Sequence, residues 1–189
     1  MRKVSILALM MTLILTLTAC GKASVQDVAD KISVELQGSQ KIVMTAKISA
    51  NYGDKVYNFK ISCSKTPEET RIDIKEPKTL AGISAVCVEV GYELSFDGVQ
   101  VTTGVLTRNG LSPAEALPAL ISQWQDGYIT GAVFEKYGGV SAAALDTCFT
   151  DDIMQRTWFD TENLLPIHSD ISQNGTVVIS CDFENIVIE

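Results

Sequence analysis

Apolar positions recur along this chain with two different periods, and the changes of period mark its elements. Val25, Val28, Ala29, Ile32 and Leu36 share one helical stripe and predict a helix over 24–37. Ser24 and Asp27 resemble a capping box at its start, and Gly38 is the expected stop. Period two then takes over. Segments 41–50 and 55–64 flank the turn Asn51-Tyr52-Gly53-Asp54, and Tyr57, Phe59, Ile61 and Cys63 alternate with polar residues. Segment 70–75 sets Ile72 and Ile74 between charges. Segment 83–90 is uniformly apolar, as expected of a strand covered on both faces. Segments 92–96 and 99–106 are joined by Asp97-Gly98, a hairpin signal.

At Ser112 the helical period returns. Ser112-Pro113-Ala114-Glu115 places an N-cap, a first-turn proline and an N3 glutamate in order. Leu117, Leu120, Ile121 and Trp124 form the stripe to be buried. Pro118 predicts a kink or break, and Asp126-Gly127 the end. Segments 140–149, 154–159, 166–172 and 176–188 alternate again, with Asn174-Gly175 as the clearest hairpin turn. The order predicts an α+β fold: a strongly curved antiparallel sheet of about eight to eleven strands, an incomplete β-barrel, with helices covering its concave face.

The first twenty residues obey neither pattern. Arg2 and Lys3 precede an apolar run from Val4 to Leu17, and Leu17-Thr18-Ala19-Cys20 follows. A charged start, a short apolar stretch and a small-residue site read as a signal peptide over 1–19. The cysteine at the cut makes it similar to a lipobox, which implies lipid on Cys20 and anchoring to the extracytoplasmic face of the cell membrane. Two acyl chains hold stably where one holds marginally, at about 0.8 kcal/mol per buried methylene. Residues 20–23 are then a short linker and 24–189 a single domain. Cleavage removes Arg2 and Lys3 and no acid, taking the net charge from −8 to −10 over 170 residues. An acidic chain without a basic cluster argues against nucleic acid and against a polybasic membrane patch.

Chemistry is sparse. Four cysteines remain: Cys63 and Cys181 share core faces, whereas Cys87 and Cys148 fall on the opposite faces of their strands, and pairing is left open. The chain has one histidine and no CxxC, which argues against a zinc or thioredoxin-type site. His168 and Asp170 share a strand face from which Ser169 points away, so they read as solvated outer-face residues and not as a triad. Asp151-Asp152 and Glu68-Glu69 read as hydrated turn acids. Phosphate-loop, HExxH and GxSxG motifs are missing. No cofactor and no catalytic residue is expected. Trp124 and Trp158 are candidate ligand contacts, with core packing the competing role for Trp124.

The layout resembles the LolA/LolB-like superfamily. Two stretches carry the resemblance: Pro67-Glu68-Glu69-Thr70-Arg71-Ile72 with Asp97-Gly98 downstream, and Trp158-Phe159-Asp160 with Leu165-Pro166-Ile167, Asn174-Gly175 and Phe183-Glu184-Asn185. The resemblance implies a half-barrel that holds acyl chains, with Phe59, Ile61, Ile72, Ile74, Leu94 and Phe96 facing inward either as a ligand cavity or as packing for the helices. The family's periplasmic carrier has a basic residue before the proline of the first stretch; here Thr66 stands there, and Cys20 adds an anchor the carrier lacks. Anchored relatives include an outer-membrane receptor and a germination lipoprotein of spore-forming Gram-positive bacteria that supports a cortex-lytic amidase. The implied alternative is therefore a lipoprotein whose partner is a cell-wall amidase. The anchor is directly testable: Cys20→Ser should abolish incorporation of an alkyne-tagged fatty acid, and a variant that still takes up the label contradicts lipidation at Cys20.

Overall fold

The computed structural model describes residues 23–87, 92–102 and 109–189. The signal segment 1–19, Cys20, and the ends of the predicted strands at 88–90 and 103–106 lie outside the described residues. Ser24 Oγ accepts the Asp27 amide at 3.1 Å, and Asp27 Oδ2 accepts the Ser24 amide at 2.8 Å. This reciprocal pair satisfies two donors that a helix start leaves over. Helix α1 spans Val25–Gly38 and buries Val28, Ala29, Ile32 and Leu36. Gly38 is its last residue rather than its stop; Ser39 caps it, giving its hydroxyl to Leu36 O at 2.7 Å.

The strands are β1 (Ile42–Asn51), β2 (Val56–Lys65), β3 (Thr70–Glu76), β4 (Ser84–Cys87), β5 (Tyr92–Phe96), β6 (Val99–Thr102), β7 (Ile129–Tyr137), β8 (Val140–Cys148), β9 (Ile153–Asp160), β10 (Pro166–Gln173) and β11 (Thr176–Ile188). Helix α2 (Pro113–Asp126) lies between β6 and β7 in sequence. All eleven strands join one antiparallel sheet in the order β6-β5-β4-β3-β2-β1-β11-β10-β9-β8-β7. The first and last strands meet at the centre, and β6 and β7 are the two edges, so the sheet is open. The chain thus leaves one edge and re-enters at the other, with α2 in the connection.

Alternation assigns the inner face. Ile42, Met44, Ala46, Ile48 and Ala50 of β1 are each at most 1 % exposed. Opposite them stand Cys63, Ile61 and Phe59 on one side and Phe183, Cys181 and Ile179 on the other. Cross-strand partners share a face, so this surface continues through Ile72 and Ala85 to Leu94. Helix α2 packs on β1 and β2, and α1 packs on α2, β7 and β8.

Local details depart from the sequence pattern. Strand β7 is not predicted by it: Ile129 and Ala132 pack on the core, whereas 133–136 are exposed on both faces, and the register shifts between Ile129 and Gly131, so no regular alternation results. Helix α2 runs through Pro118 without a break, although Pro118 has no N–H to give to Ala114 O. Ser112 caps α2 through its carbonyl, which accepts the amides of Glu115 and Ala116, not through its hydroxyl. Cys87 lies on the inner face and packs against the core, because the pairing of Ala85 with Ile72 fixes a face that the apolar run left undefined. The bulge at Ile171/Ser172 likewise turns Val177 outward, 40 % exposed, while Val178 packs inward.

Gly110 sets how closely the segment before α2 approaches the sheet. Its φ is +74°, and a Cβ there would stand 2.6 Å from Ile171 Cδ1 and 3.1 Å from Ala119 Cβ. Gly110→Ala therefore combines overpacking with a left-handed backbone and should destabilise by at least about 2 kcal/mol. A denaturant midpoint unchanged by the substitution contradicts this placement.

Candidate functional site: the inner face of the sheet

A helix of 14 residues is about 21 Å long. Eleven strands at about 4.8 Å spacing extend about 50 Å. Two such helices cannot cover the whole inner face, and what they leave uncovered is the candidate site.

Helix α2 occupies the middle. Ala116, Leu117, Leu120 and Ile121 are fully buried, and Trp124 is 7 % exposed. The Trp124 ring meets Phe159 and Phe183 edge-on, with centroids at 5.8 and 5.5 Å. Its indole N–H donates to Thr157 Oγ1 at 2.9 Å, and Gln155 Nε2 donates to the same oxygen at 3.1 Å. With both lone pairs occupied, Thr157 gives its own proton to Ser169 Oγ, 2.7 Å away. A buried polar chain thus runs under α2 through β9 and β10.

Two cavities flank the helix. One, of about 190 Å³, lies on the β3–β5 side and is lined by Thr70, Cys87, Tyr92, Glu115, Pro118 and Phe149 among others. The other, of about 20 Å³, lies among α1, α2 and β7–β9 and is lined by Ile32, Leu36, Trp124, Thr147, Gln155 and Phe159 among others. Gln123 lines both. Beyond the larger cavity, β5 and β6 carry an apolar shoulder. Leu94 pairs with Val101 and Phe96 with Val99, so all four share the inner face. Phe96, Val99 and Val101 are 51–63 % exposed.

The residues expected to line a cavity therefore separate. Ile61 and Ile72 are 1 % exposed and belong to the closed core. Phe59 and Leu94 are half-buried against that core, Ile74 is half-buried, and Phe96 is open. Trp124 is both core and wall of the smaller cavity. Sequence reasoning missed Gln123, Thr147, Gln155 and Thr157. A signal for three of them existed: Thr147, Gln155 and Thr157 interrupt the apolar face of β8 and β9 at period two.

The histidine lies on the opposite face and is not solvated. Tyr137 stacks on His168 with ring centroids 4.6 Å apart, and Trp158 tilts against it at 5.3 Å. These rings leave His168 only 6 % exposed. Nδ1 stands 2.7 Å from Asp182 Oδ1 and Nε2 3.0 Å from Asp170 Oδ1. Each ring nitrogen faces a carboxylate, so the protonated ring can donate from both. Burial pushes its pKa down, but the hydrogen bonds and charges of Asp170 and Asp182 outweigh this and raise it above its ordinary 6.5. Burial pushes Asp170 up, yet the bonds from His168 and Ser180 hold it below its ordinary 3.8.

The histidine's contribution to stability is complete below about pH 6.5 and is lost as pH rises through its raised folded value; that of Asp170 is present above about pH 3.8 and lost as pH falls. The stability gap between the parent protein and His168→Gln should therefore widen as pH is lowered from about 8.5 to about 5.5. A pH-independent gap in denaturant titrations contradicts the clamp.

No protein-family model matches the chain, and no curated protein matches it. Solved structures do. An uncharacterized conserved protein from Thermus thermophilus matches with a TM-score of 0.51 and 12 % identity, covering 88 % of each chain. A LolA superfamily protein from Nitrosomonas europaea matches with a TM-score of 0.50 and 11 % identity, covering 89 % of this chain and 94 % of the other. Lipoprotein LppX from Mycobacterium tuberculosis is a more distant match, with a TM-score of 0.45 and 8 % identity over 82 % of this chain and 91 % of the other. At such identities the likeness concerns architecture alone, and that architecture, an open antiparallel sheet with helices on one face, is a LolA-like fold.

Proposed function

We propose that this chain is a non-enzymatic protein, held by lipid on Cys20 at the extracytoplasmic face of the cell membrane, that binds a hydrophobic ligand or lipoprotein acyl chain on its inner sheet face. One observation carries the proposal: the apolar inner face does not end where α2 ends, but continues from the cavity of about 190 Å³ onto the open shoulder of Leu94, Phe96, Val99 and Val101. Apolar side chains on a solvent-facing surface mark a binding site when they are contiguous. A cavity near 150 Å³ admits a benzene-sized group, so this one takes a length of chain and the shoulder takes more. Burying about eight methylenes contributes roughly 6 kcal/mol, the scale of a complex of tens of micromolar before ordering costs. Residues 20–23 extend at most about 14 Å, which keeps the site close to the bilayer.

The same shoulder suits an apolar segment of another protein, and a cell-wall amidase is the partner the sequence resemblance implies. The two readings forecast different results. If the ligand is lipid, protein purified from its membrane carries a stoichiometric lipid in native mass spectrometry, beyond its own anchor. Ser122→Trp, at an exposed wall of the larger cavity, should remove that lipid without lowering stability. A lipid-free protein, together with a pull-down that enriches an amidase, overturns ligand binding in favour of the partner reading.

A further inference from the structure

Three buried polar atoms have no hydrogen-bond partner among the described residues: Gln123 Oε1, Thr147 Oγ1 and Gln155 Oε1. All three residues line the one cavity of about 20 Å³ between α1, α2 and β7–β9. Thr147 is 5 % exposed and Gln155 1 %. An orphaned buried polar group costs about 1–3 kcal/mol, and three of them converge on this one cavity. Their chemistry is specific. Two are carbonyl oxygens, which only accept, and the third is a hydroxyl, which accepts or donates. The complementary group donates to a carbonyl and accepts from the Thr147 hydroxyl. A cavity of this volume holds one group the size of water, which fits a hydroxyl, whose single O–H satisfies one carbonyl while its oxygen accepts from Thr147, and excludes a carboxylate, which the two carbonyls would repel.

Gln123 also lines the larger cavity on the other side of α2, so it stands between the two cavities. We propose that Gln123, Thr147 and Gln155 form a recognition point for a hydrogen-bond-donating group on the ligand, so that the protein selects hydroxylated lipids over plain saturated chains. The proposal rests on the ligand-binding function above and names its specificity. The apolar part of the ligand lies toward Pro118 and Phe149, and its donor group reaches past Gln123 to Thr147 and Gln155.

Trp124 lines the polar cavity and Trp158 lies on the opposite face. The chain has two tryptophans, so Trp158→Phe leaves Trp124 as the only indole reporter. The full chain with this substitution, kept soluble in amphipol, is titrated with palmitate and with its 2-, 3- and 16-hydroxy derivatives, following Trp124 fluorescence and confirming affinities by calorimetry. The best hydroxylated chain should bind about tenfold tighter than palmitate, the scale set by satisfying a buried orphan group. Thr147→Val, which is nearly isosteric and removes an orphan hydroxyl, should bring the affinities for plain and hydroxylated chains to within about twofold of each other; Gln155→Leu checks the same point from the other strand. Equal affinities for plain and hydroxylated chains, or a preference untouched by Thr147→Val, overturn the recognition point and leave ligand binding standing. Binding of none of the probes overturns the ligand-binding function itself, and this specificity with it.

Discussion

The packing of α2 on the inner face of the sheet is the interaction on which the rest of the structure depends. The sheet is open, and its outer and inner faces become distinct only because one of them is covered. Helix α2 supplies the centre of that cover through Ala116, Leu117, Leu120, Ile121 and Trp124. Trp124 ties the helix to two strands at once, edge-on against Phe159 of β9 and Phe183 of β11, and its N–H is satisfied by Thr157. Aromatic contacts of this kind contribute about 0.5–1.5 kcal/mol each beyond the area they bury, and the hydrogen bond removes the cost of burying an indole donor. Because the chain crosses from edge strand β6 to edge strand β7 through α2, the cover is also the connection.

The same constraint creates the site. A short helix cannot span eleven strands, so the inner face is closed at β1, β2, β9 and β11 and open toward β5 and β6. Core and proposed binding surface are thus one continuous face of the sheet, divided by where α2 stops. The two faces are otherwise held by different physics. Inside, apolar burial dominates and polar groups are few and converge. Outside, Arg156 grips Asp146 at 2.7 and 2.8 Å, and His168 is held between Asp170 and Asp182 under Tyr137. The outer clusters knit β8 to β11 by charge, which leaves the inner face free of ionised side chains along those strands.

Much of this was legible in the sequence. Alternation, one apolar run and the turn signals predict ten strands, and the residues of Asp97-Gly98 and Asn174-Gly175 do adopt positive φ. What failed has physical causes. Edge strand β7 is exposed on both faces over 133–136, so burial imposes no alternation there. Segment 83–90 is apolar throughout, so only its pairing with β3 reveals that Cys87 faces inward. His168 looked solvated because the ring that covers it, Tyr137, comes from a strand three places away in the sheet. Of the residues expected to line a cavity, Ile61 and Ile72 could not be told from Leu94 and Phe96 by pattern. All lie on the same face, and what separates them is the length of α2. Thr147 and Gln155 left a mark in the period-two pattern, but their meeting with Gln123 did not, because the third residue joins them only once α2 is docked.

A ligand in the cavities of the inner face touches α2 at Pro118 and Gln123, so the helix is where its binding shows. Hydrogen–deuterium exchange of the protein, with and without a bound hydroxylated acyl chain, measures this residue by residue. Ligand beside the helix predicts slower exchange in 113–126 while β1, β2 and β11 keep their protection. Unchanged exchange in α2 on saturation with ligand, or changes confined to the outer face around His168, would contradict binding at the inner face.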